Sequence, residues 1–147
     1  MRFFFTLALP VMLVSTLAAA QTPAPAAAER DALALAISSQ KVLNEYAIGA
    51  MDPDGMKYSQ RVRLTRAALD AQYKLWPAAP ASPVAGDAWA PWRVCQQALQ
   101  QASSLAALSA RKAVSAVNES EFQAAKAGLQ KSRSDCGAQI QRAGKPG

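Results

Sequence analysis

Apolar residues recur every three or four positions along four long stretches of the chain, the spacing of one face of an α-helix. The first stretch covers residues 29–48 and the second runs from residue 53 to about residue 76. Strand-like alternation of apolar and polar residues is absent from the sequence. The residues expected to face inward in these two helices are Leu33, Ile37, Leu43, Ala47, Tyr58, Val62, Leu69, Tyr73 and Trp76.

The second half of the chain predicts two further helices, over residues 88–117 and 118–141. Asp87 is suited to cap the first of them, and Pro91 lies in its first turn, where a missing N–H leaves no helical hydrogen bond unmade. The inward residues expected for this pair are Trp92, Cys95, Leu99, Ala102, Ala106, Ser109, Ala113, Phe122, Ala125, Leu129, Ser132, Cys136 and Ile140.

Helix boundaries are marked by residues typical of caps and stops. Gly49 is expected to end the first helix. Asp52 followed by Pro53 predicts the start of the second, since Asp caps a helix and Pro suits its first position. Asn118 with Glu121 three residues later resembles a capping box and predicts the start of the fourth helix.

The two cysteines decide between a hairpin and one continuous helix from residue 88 to 140. In a straight helix Cys95 and Cys136 would lie about 60 Å apart, whereas a disulfide needs Cα atoms within about 7 Å. Folding back near Asn118 brings both to the same end, with a remaining axial offset of about 7 Å that an earlier turn would reduce. We therefore predict a helical hairpin closed by a Cys95–Cys136 disulfide.

These elements predict an all-α protein, an antiparallel four-helix bundle of up-down-up-down topology with its disulfide between the third and fourth helices. The bundle domain is expected over residues 29–141, and residues 142–147 are expected to form a flexible tail. Residues 77–86 contain three prolines and predict a semi-rigid loop that turns at one end of the bundle.

The first twenty residues have the features of an export signal. Arg2 precedes a short apolar run, and Ala18 and Ala20 are small residues of the kind required at a cleavage site. An uncleaved anchor is the alternative, but the run is short for a membrane span and contains Pro10. We expect cleavage after Ala20, a flexible Pro/Ala tether over residues 21–28, and a periplasmic or secreted protein.

Composition limits the chemistry of the mature chain. The sequence has no His, which removes the commonest general base and transition-metal ligand. Its 16 basic and 10 acidic residues give +6, and loss of Arg2 with the signal leaves +5. This charge is uneven, +1 over residues 21–86 and +4 over residues 87–147. A basic face attracts anionic lipid, lipopolysaccharide or an acidic protein, although these charges also suit helix termini; nucleic acid is not an expected partner.

Two short motifs resemble catalytic or metal-binding ones but lack the partners those sites need. Residues 52–55 resemble part of a calcium loop, but the loop's first and last ligand positions would be Ala50 and Arg61. Ser38–Lys41 and Ser109–Lys112 have serine–lysine spacing, but the Ser-Asp-Asn and Lys-Thr-Gly partners are absent. We predict no catalytic residues, no metal and no cofactor, and we expect Glu45 to pair with Lys41 one turn away.

Three tryptophans flank the Pro-rich loop: Trp76, Trp89 and Trp92. One interpretation is a recognition patch, since Trp is enriched in binding hot spots. The other is that they close the end of the bundle, with Trp76 and Trp92 in the core and Trp89 outside.

The sequence predicts a function only at the level of class. The leading hypothesis is a non-catalytic periplasmic interaction protein, such as an inhibitor, an immunity-type partner or an envelope-assembly accessory. It would present a helical or Trp-rich surface to an envelope protein. The alternative is a binder of a small ligand or an anionic lipid headgroup in a pocket between helices.

Overall fold

The computed structural model describes residues 25–144, and within this range all regular structure is helical. The α-helices of this range are α1 (Pro25–Ala50), α2 (Pro53–Met56), α3 (Ser59–Lys74), α4 (Arg93–Val114) and α5 (Glu119–Ala143). A short 3-10 turn, Ala90–Trp92, leads into α4. The all-α class is confirmed, but the described chain has five α-helices rather than four, because the predicted second helix is divided into α2 and α3.

Several predicted segments lie wholly or partly outside the described residues. The predicted signal peptide, residues 1–20, lies outside them, as do residues 21–24 of the predicted tether and residues 145–147 of the predicted tail. Residues 25–28 belong to α1, so the helix begins four residues before the predicted start. Among the described helices, none combines the length and the apolar character that crossing a membrane requires.

Helix α1 buries most of the predicted face, since Leu43 and Ala47 are fully buried and Leu33 partly so, but one predicted position is exposed. It continues past Gly49 to Ala50, and Ile37 is 50% exposed, so its predicted inward position is wrong. The fully buried residues are Ala32, Ala36, Ser39, Leu43, Ala47 and Ala50. The helix turns its small residues toward the core, which lets its neighbours pack close to its backbone.

The break between α2 and α3 corrects a second prediction. Asp52 caps α2 as expected, accepting a hydrogen bond from the Asp54 N–H at 3.1 Å, and Pro53 takes the first helical position. Tyr58 then adopts an extended conformation before α3 begins. This interruption shifts the phase of the helix, so that Met56 is buried while Tyr58, predicted inward, is 62% exposed.

Helices α4 and α5 form the predicted hairpin. Helix α4 ends at Val114, three residues earlier than predicted, and Asn118 caps α5 by accepting hydrogen bonds from the N–H groups of Ser120 and Glu121 at 2.9 and 3.4 Å. The earlier turn removes most of the expected axial offset. Cys95 in α4 and Cys136 in α5 are joined by a disulfide with a Cα–Cα distance of 4.9 Å, which excludes the single long helix.

Helix α4 is the centre of the core, since it packs against α1, α3 and α5. Its buried residues therefore extend over more than the single predicted stripe: Cys95, Ala98, Leu99, Ala102, Ser103, Leu105, Ala106, Leu108 and Ser109. The buried Ser109 hydroxyl donates to the Ala50 carbonyl at 2.5 Å. That bond joins the last residue of α1 to a serine five residues before the end of α4, and it satisfies a carbonyl at a helix end.

Polar side chains connect α1 to the two helices on its flanks. On one side, Trp76 Nε1 donates to Ser39 Oγ at 3.0 Å, just beyond the end of α3. On the other side, the Arg133 guanidinium of α5 donates to Asn44 Oδ1 at 3.0 Å. Because the Trp76–Ser39 bond is buried, it satisfies an indole N–H that would otherwise be costly to remove from water.

Candidate binding surfaces

The three tryptophans do not form one exposed patch. Trp76 and Trp92 are 6% and 7% exposed and belong to the core, whereas Trp89 is half-buried. Trp89 packs edge-on against Trp76, with ring centroids 6.0 Å apart. The rings therefore close this end of the helical core, and only Trp89 offers partly accessible aromatic surface.

Arg93 fixes the Pro-rich loop against the start of α4. Its guanidinium donates to the Pro77 carbonyl at 2.7 Å and to the Ala78 carbonyl at 3.3 Å, and it lies 4.0 Å from the Asp87 carboxylate. One side chain thus holds both ends of the loop together. Asp87 also accepts the Trp89 N–H at 2.9 Å. The prediction that it caps the third helix is wrong, because α4 begins at Arg93 and its N-cap is Trp92.

The two serine–lysine pairs do not assemble a catalytic site. Ser38 Oγ donates to the Leu35 carbonyl at 2.9 Å, a bond within its own helix, while Lys41 is exposed. The Ser109 hydroxyl donates to the Ala50 carbonyl of α1, and Lys112 forms an ion pair with Glu119 across the α4–α5 turn. The Lys112 ammonium also lies 4.2 Å from the centre of the Phe122 ring.

Glu45 is not paired as expected. Within the described chain, no ion pair joins Glu45 to Lys41 within 4.0 Å. A hydrogen bond to Glu45, together with the charge of that carboxylate, raises the pKa of the Tyr46 hydroxyl above its usual value. This pair is accessible to water, unlike a catalytic acid held in a pocket.

Helix α3 presents an uncovered apolar surface that the sequence analysis did not identify. Leu64 in α3 and Leu75 at its C-cap are 62% and 64% exposed, and Ala68 and Ala71 lie between them. We call these four residues the α3 stripe. Their spacing of four, three and four residues is that of alternating core positions in a coiled coil, a signal that was available in the sequence.

A groove runs along α4 between α3 and α5. The α4 groove has a volume of about 670 Å³ and is open to solvent. Arg66 of α3 and Arg111 of α4 both line it, and a neighbouring hollow that shares Gln100 continues along α4 toward Arg93. Its lining comprises Arg66, Gln100, Gln101, Ser104, Leu105, Ala107, Leu108, Arg111, Glu121, Ala124, Ala125 and Gly128.

Comparison with known proteins adds no assignment. No protein-family model matches the chain, and neither a curated protein nor a solved structure matches it significantly. The two surfaces above are therefore interpreted from their own chemistry.

Proposed function

We propose that this chain is a non-catalytic interaction protein of the bacterial periplasm that binds an envelope protein through the α3 stripe. The observation that carries this proposal is the pair of exposed leucines, Leu64 in α3 and Leu75 at its C-cap, which are about three helical turns apart. A partner helix would cover them by packing its side chains between them, as in helix-to-helix recognition.

The charges on α3 favour an acidic partner. Arg61, Arg63 and Lys74 are exposed on the same helix as the stripe. Opposite charge on the partner would speed association and select the partner, while the leucines would supply most of the buried apolar area.

The helical face is a better candidate than the Trp-rich end. Two of the three tryptophan rings are already buried, so that end has less apolar surface left for a partner. The α3 stripe, in contrast, holds two large side chains whose exposed area has no cover within the described chain.

The scaffold that we propose is an antiparallel bundle in which α1, α3, α4 and α5 alternate in direction. The bond between Ser109 and Ala50 supports a parallel relation of α4 to α1, because each residue lies in or next to the last turn of its helix. The disulfide and the short turn before Asn118 support an antiparallel α4 and α5.

The periplasmic location is supported by the disulfide, since such bonds persist in oxidising compartments. Export through a signal peptide cleaved after Ala20 remains part of the proposal. A non-catalytic role is supported by the structural contacts that Ser38, Ser109 and Lys112 make.

Site-specific photo-crosslinking in a Gram-negative periplasm tests partner binding directly. A photoreactive amino acid at position 64 or 75 should give a discrete adduct with one envelope protein. The matched control is position 84 in the Pro-rich loop, where Val84 is 59% exposed but lies off α3. Equal adducts from all three positions would contradict the proposal, and an adduct of twice the chain's mass would assign the stripe to self-association instead.

Variants that introduce a negative charge into the α3 stripe provide a second test. Leu64→Glu and Leu75→Glu should abolish the adduct while leaving the helical circular dichroism unchanged, since both side chains are exposed. Val84→Glu adds the same charge and should leave the adduct intact. The assignment of the stripe would be wrong if the adduct persisted in a Leu64→Glu/Leu75→Glu double variant crosslinked from position 71.

A second function, binding of a small ligand between helices, is favoured by the α4 groove. Its volume of about 670 Å³ lies within the range of about 300–1,000 Å³ that is usual for small-molecule sites. It lies on the side of α3 that carries Arg66, whereas the stripe is formed by other positions, so the two surfaces are separate.

A further inference from the structure

The α4 groove lies between α3 and α5, which both pack against α4 but have no Cα atoms within 8 Å of each other within residues 25–144. Two helices at this separation leave the exposed side of α4 as the floor of an open channel. The hollow that shares Gln100 lengthens this channel toward Arg93. Between Arg93 and Arg111 the channel follows about 27 Å of helix, which suits an elongated occupant.

One wall of the groove is apolar, whereas its floor is mixed, since Gln100, Gln101 and Ser104 of α4 line it beside two leucines. Leu105 and Leu108 of α4 are 1% and 9% exposed and form its base. Ala124, Ala125 and Gly128 of α5 form one side. Their small side chains leave room beside Leu108, so a hydrocarbon chain lying here would be removed from water along much of its length.

Positive charge is concentrated in the same groove. Arg66 and Arg111 line it from two different helices, and Glu121 is the only acidic residue in its lining. Among residues 25–144, neither arginine is within 4.0 Å of a carboxylate oxygen. Two guanidinium groups without an ionic partner are suited to bind a carboxylate or phosphate, because their planar donors match its oxygens in pairs.

One polar atom in the lining of the groove lacks a partner among the described residues. Gln101 Oε1 is buried and accepts no hydrogen bond from the described residues. A buried acceptor of this kind is costly unless a donor reaches it. Gln101 thus places an unpaired acceptor in the lining of the groove.

We infer that the α4 groove binds a free single-chain amphiphile with one anionic head, such as a long-chain carboxylate. The head lies between Arg66 and Arg111, and the chain lies over Leu105 and Leu108 against the alanine wall of α5. This inference deepens the second proposed function and is independent of partner binding through the α3 stripe.

Isothermal titration calorimetry with dodecanoate, kept below its micelle concentration, is the primary test. The wild-type protein should bind one dodecanoate per chain. Dodecyltrimethylammonium, which has the same chain length and a cationic head, should bind at least about tenfold more weakly, because Arg66 and Arg111 repel it.

Paired charge variants test the head site. R66Q/R111Q should weaken dodecanoate binding by at least about tenfold, since it removes both charge-assisted contacts. R63Q/R142Q removes the same total charge at exposed positions outside the groove and should bind like the wild type. If both double variants bound dodecanoate equally weakly, the loss of affinity would come from net charge alone, and the assigned head site would be wrong.

A groove-filling variant tests the chain site. G128L adds a side chain at a position where the nearest atom to a new Cβ is Gln101 Nε2 at 4.0 Å, so the Cβ itself makes no clash. It should abolish dodecanoate binding while circular dichroism stays unchanged. Binding of dodecanoate to G128L with wild-type affinity would show that the chain lies elsewhere.

The outcomes of these experiments distinguish a failure of this inference from a failure of the second proposed function. If dodecanoate does not bind to the wild-type protein, the inference is wrong, and the second function must rest on another ligand. If it binds equally to wild type, R66Q/R111Q and G128L, ligand binding stands and the site assignment fails. Sedimentation with phosphatidylglycerol vesicles, without dodecanoate binding, would replace the free amphiphile with a bilayer surface and overturn the inference.

Discussion

At the scale of single residues, the two cysteines determine how firmly the α4–α5 hairpin is closed. They are 41 residues apart in sequence and both fully buried. Cys136→Ser should keep the helical circular dichroism, because the apolar faces of both helices remain. It should lower the free energy of unfolding by about 4 kcal/mol on the chain-entropy account, measured by urea denaturation.

Tryptophan fluorescence reports the same change locally. Trp92 lies one turn from Cys95 and is buried, so its emission should shift to longer wavelength when that end loosens. Wild-type protein under reductant is the control and should reproduce both effects. Thiol labelling of Cys95 and Cys136 in the native, unreduced protein would contradict the disulfide.

The carboxyl group of Glu119 is a second residue-scale test. Gln123 Nε2 donates to it at 2.7 Å and Lys112 forms an ion pair with it. The hydrogen bond from Gln123, and then that from Lys112, lowers the pKa of Glu119 below its ordinary value. The folded state therefore favours the carboxylate, and this stabilisation is present above the unfolded pKa and lost as the pH falls through the lower folded pKa.

An NMR titration of the Glu119 side chain measures this effect. Gln123→Ala and Lys112→Met should each raise the pKa of Glu119 toward its ordinary value, with the larger rise in Gln123→Ala. Lys131→Met removes a lysine that pairs with Asp135 instead and should leave it unchanged. An unchanged pKa in both test variants would mean that these contacts do not persist in solution.

At the scale of the elements, two helical glycines are predicted to respond oppositely to the same substitution. Gly128 lies inside α5 with open space around its Cα, so Gly128→Ala should stabilise the protein by up to about 1 kcal/mol through helix propensity. Gly55 lies in α2, where a new Cβ would be 2.6 Å from Asp52 Oδ2. Gly55→Ala should therefore disturb the Asp52 cap and destabilise the protein by about 1 kcal/mol.

Urea denaturation of the two variants beside the wild type compares these effects. Because both replace Gly by Ala in a helix, the loss of unfolded-chain freedom is common to them. If both variants changed the free energy of unfolding in the same direction, the Asp52 side chain would be able to move away from the new Cβ. The contact at Gly55 would then not constrain the connection between α1 and α3.

At the scale of the whole molecule, the proposed compartment makes a prediction about the mature chain. Export through a cleaved signal should give a periplasmic protein that begins at Gln21, because Ala18 and Ala20 suit the peptidase. Intact mass of protein released from a Gram-negative periplasm measures this. Cytoplasmic expression without residues 1–20 is the control for folding, and a membrane-bound species that retains Met1 would overturn the localisation.

The sequence by itself determined the helical class and the closure of the hairpin. Helical rise fixes how far apart Cys95 and Cys136 would lie in one helix, so their pairing requires a turn. Local chemistry likewise fixes the caps at Asp52 and Asn118, because each bonds to N–H groups only two or three residues away. These features depend on the geometry of residues close together in the chain, so they can be predicted from the sequence.

Only the tertiary structure decided which faces are covered. Helical spacing allows neighbouring faces, and packing against α4 selected the alanine face of α1 and left Ile37 exposed. The same competition left Leu64 and Leu75 uncovered on α3, where Leu69 took the core position. Arg66 and Arg111 share a groove because α3 and α5 lie on separate sides of α4, a relation between distant segments that no local pattern encodes.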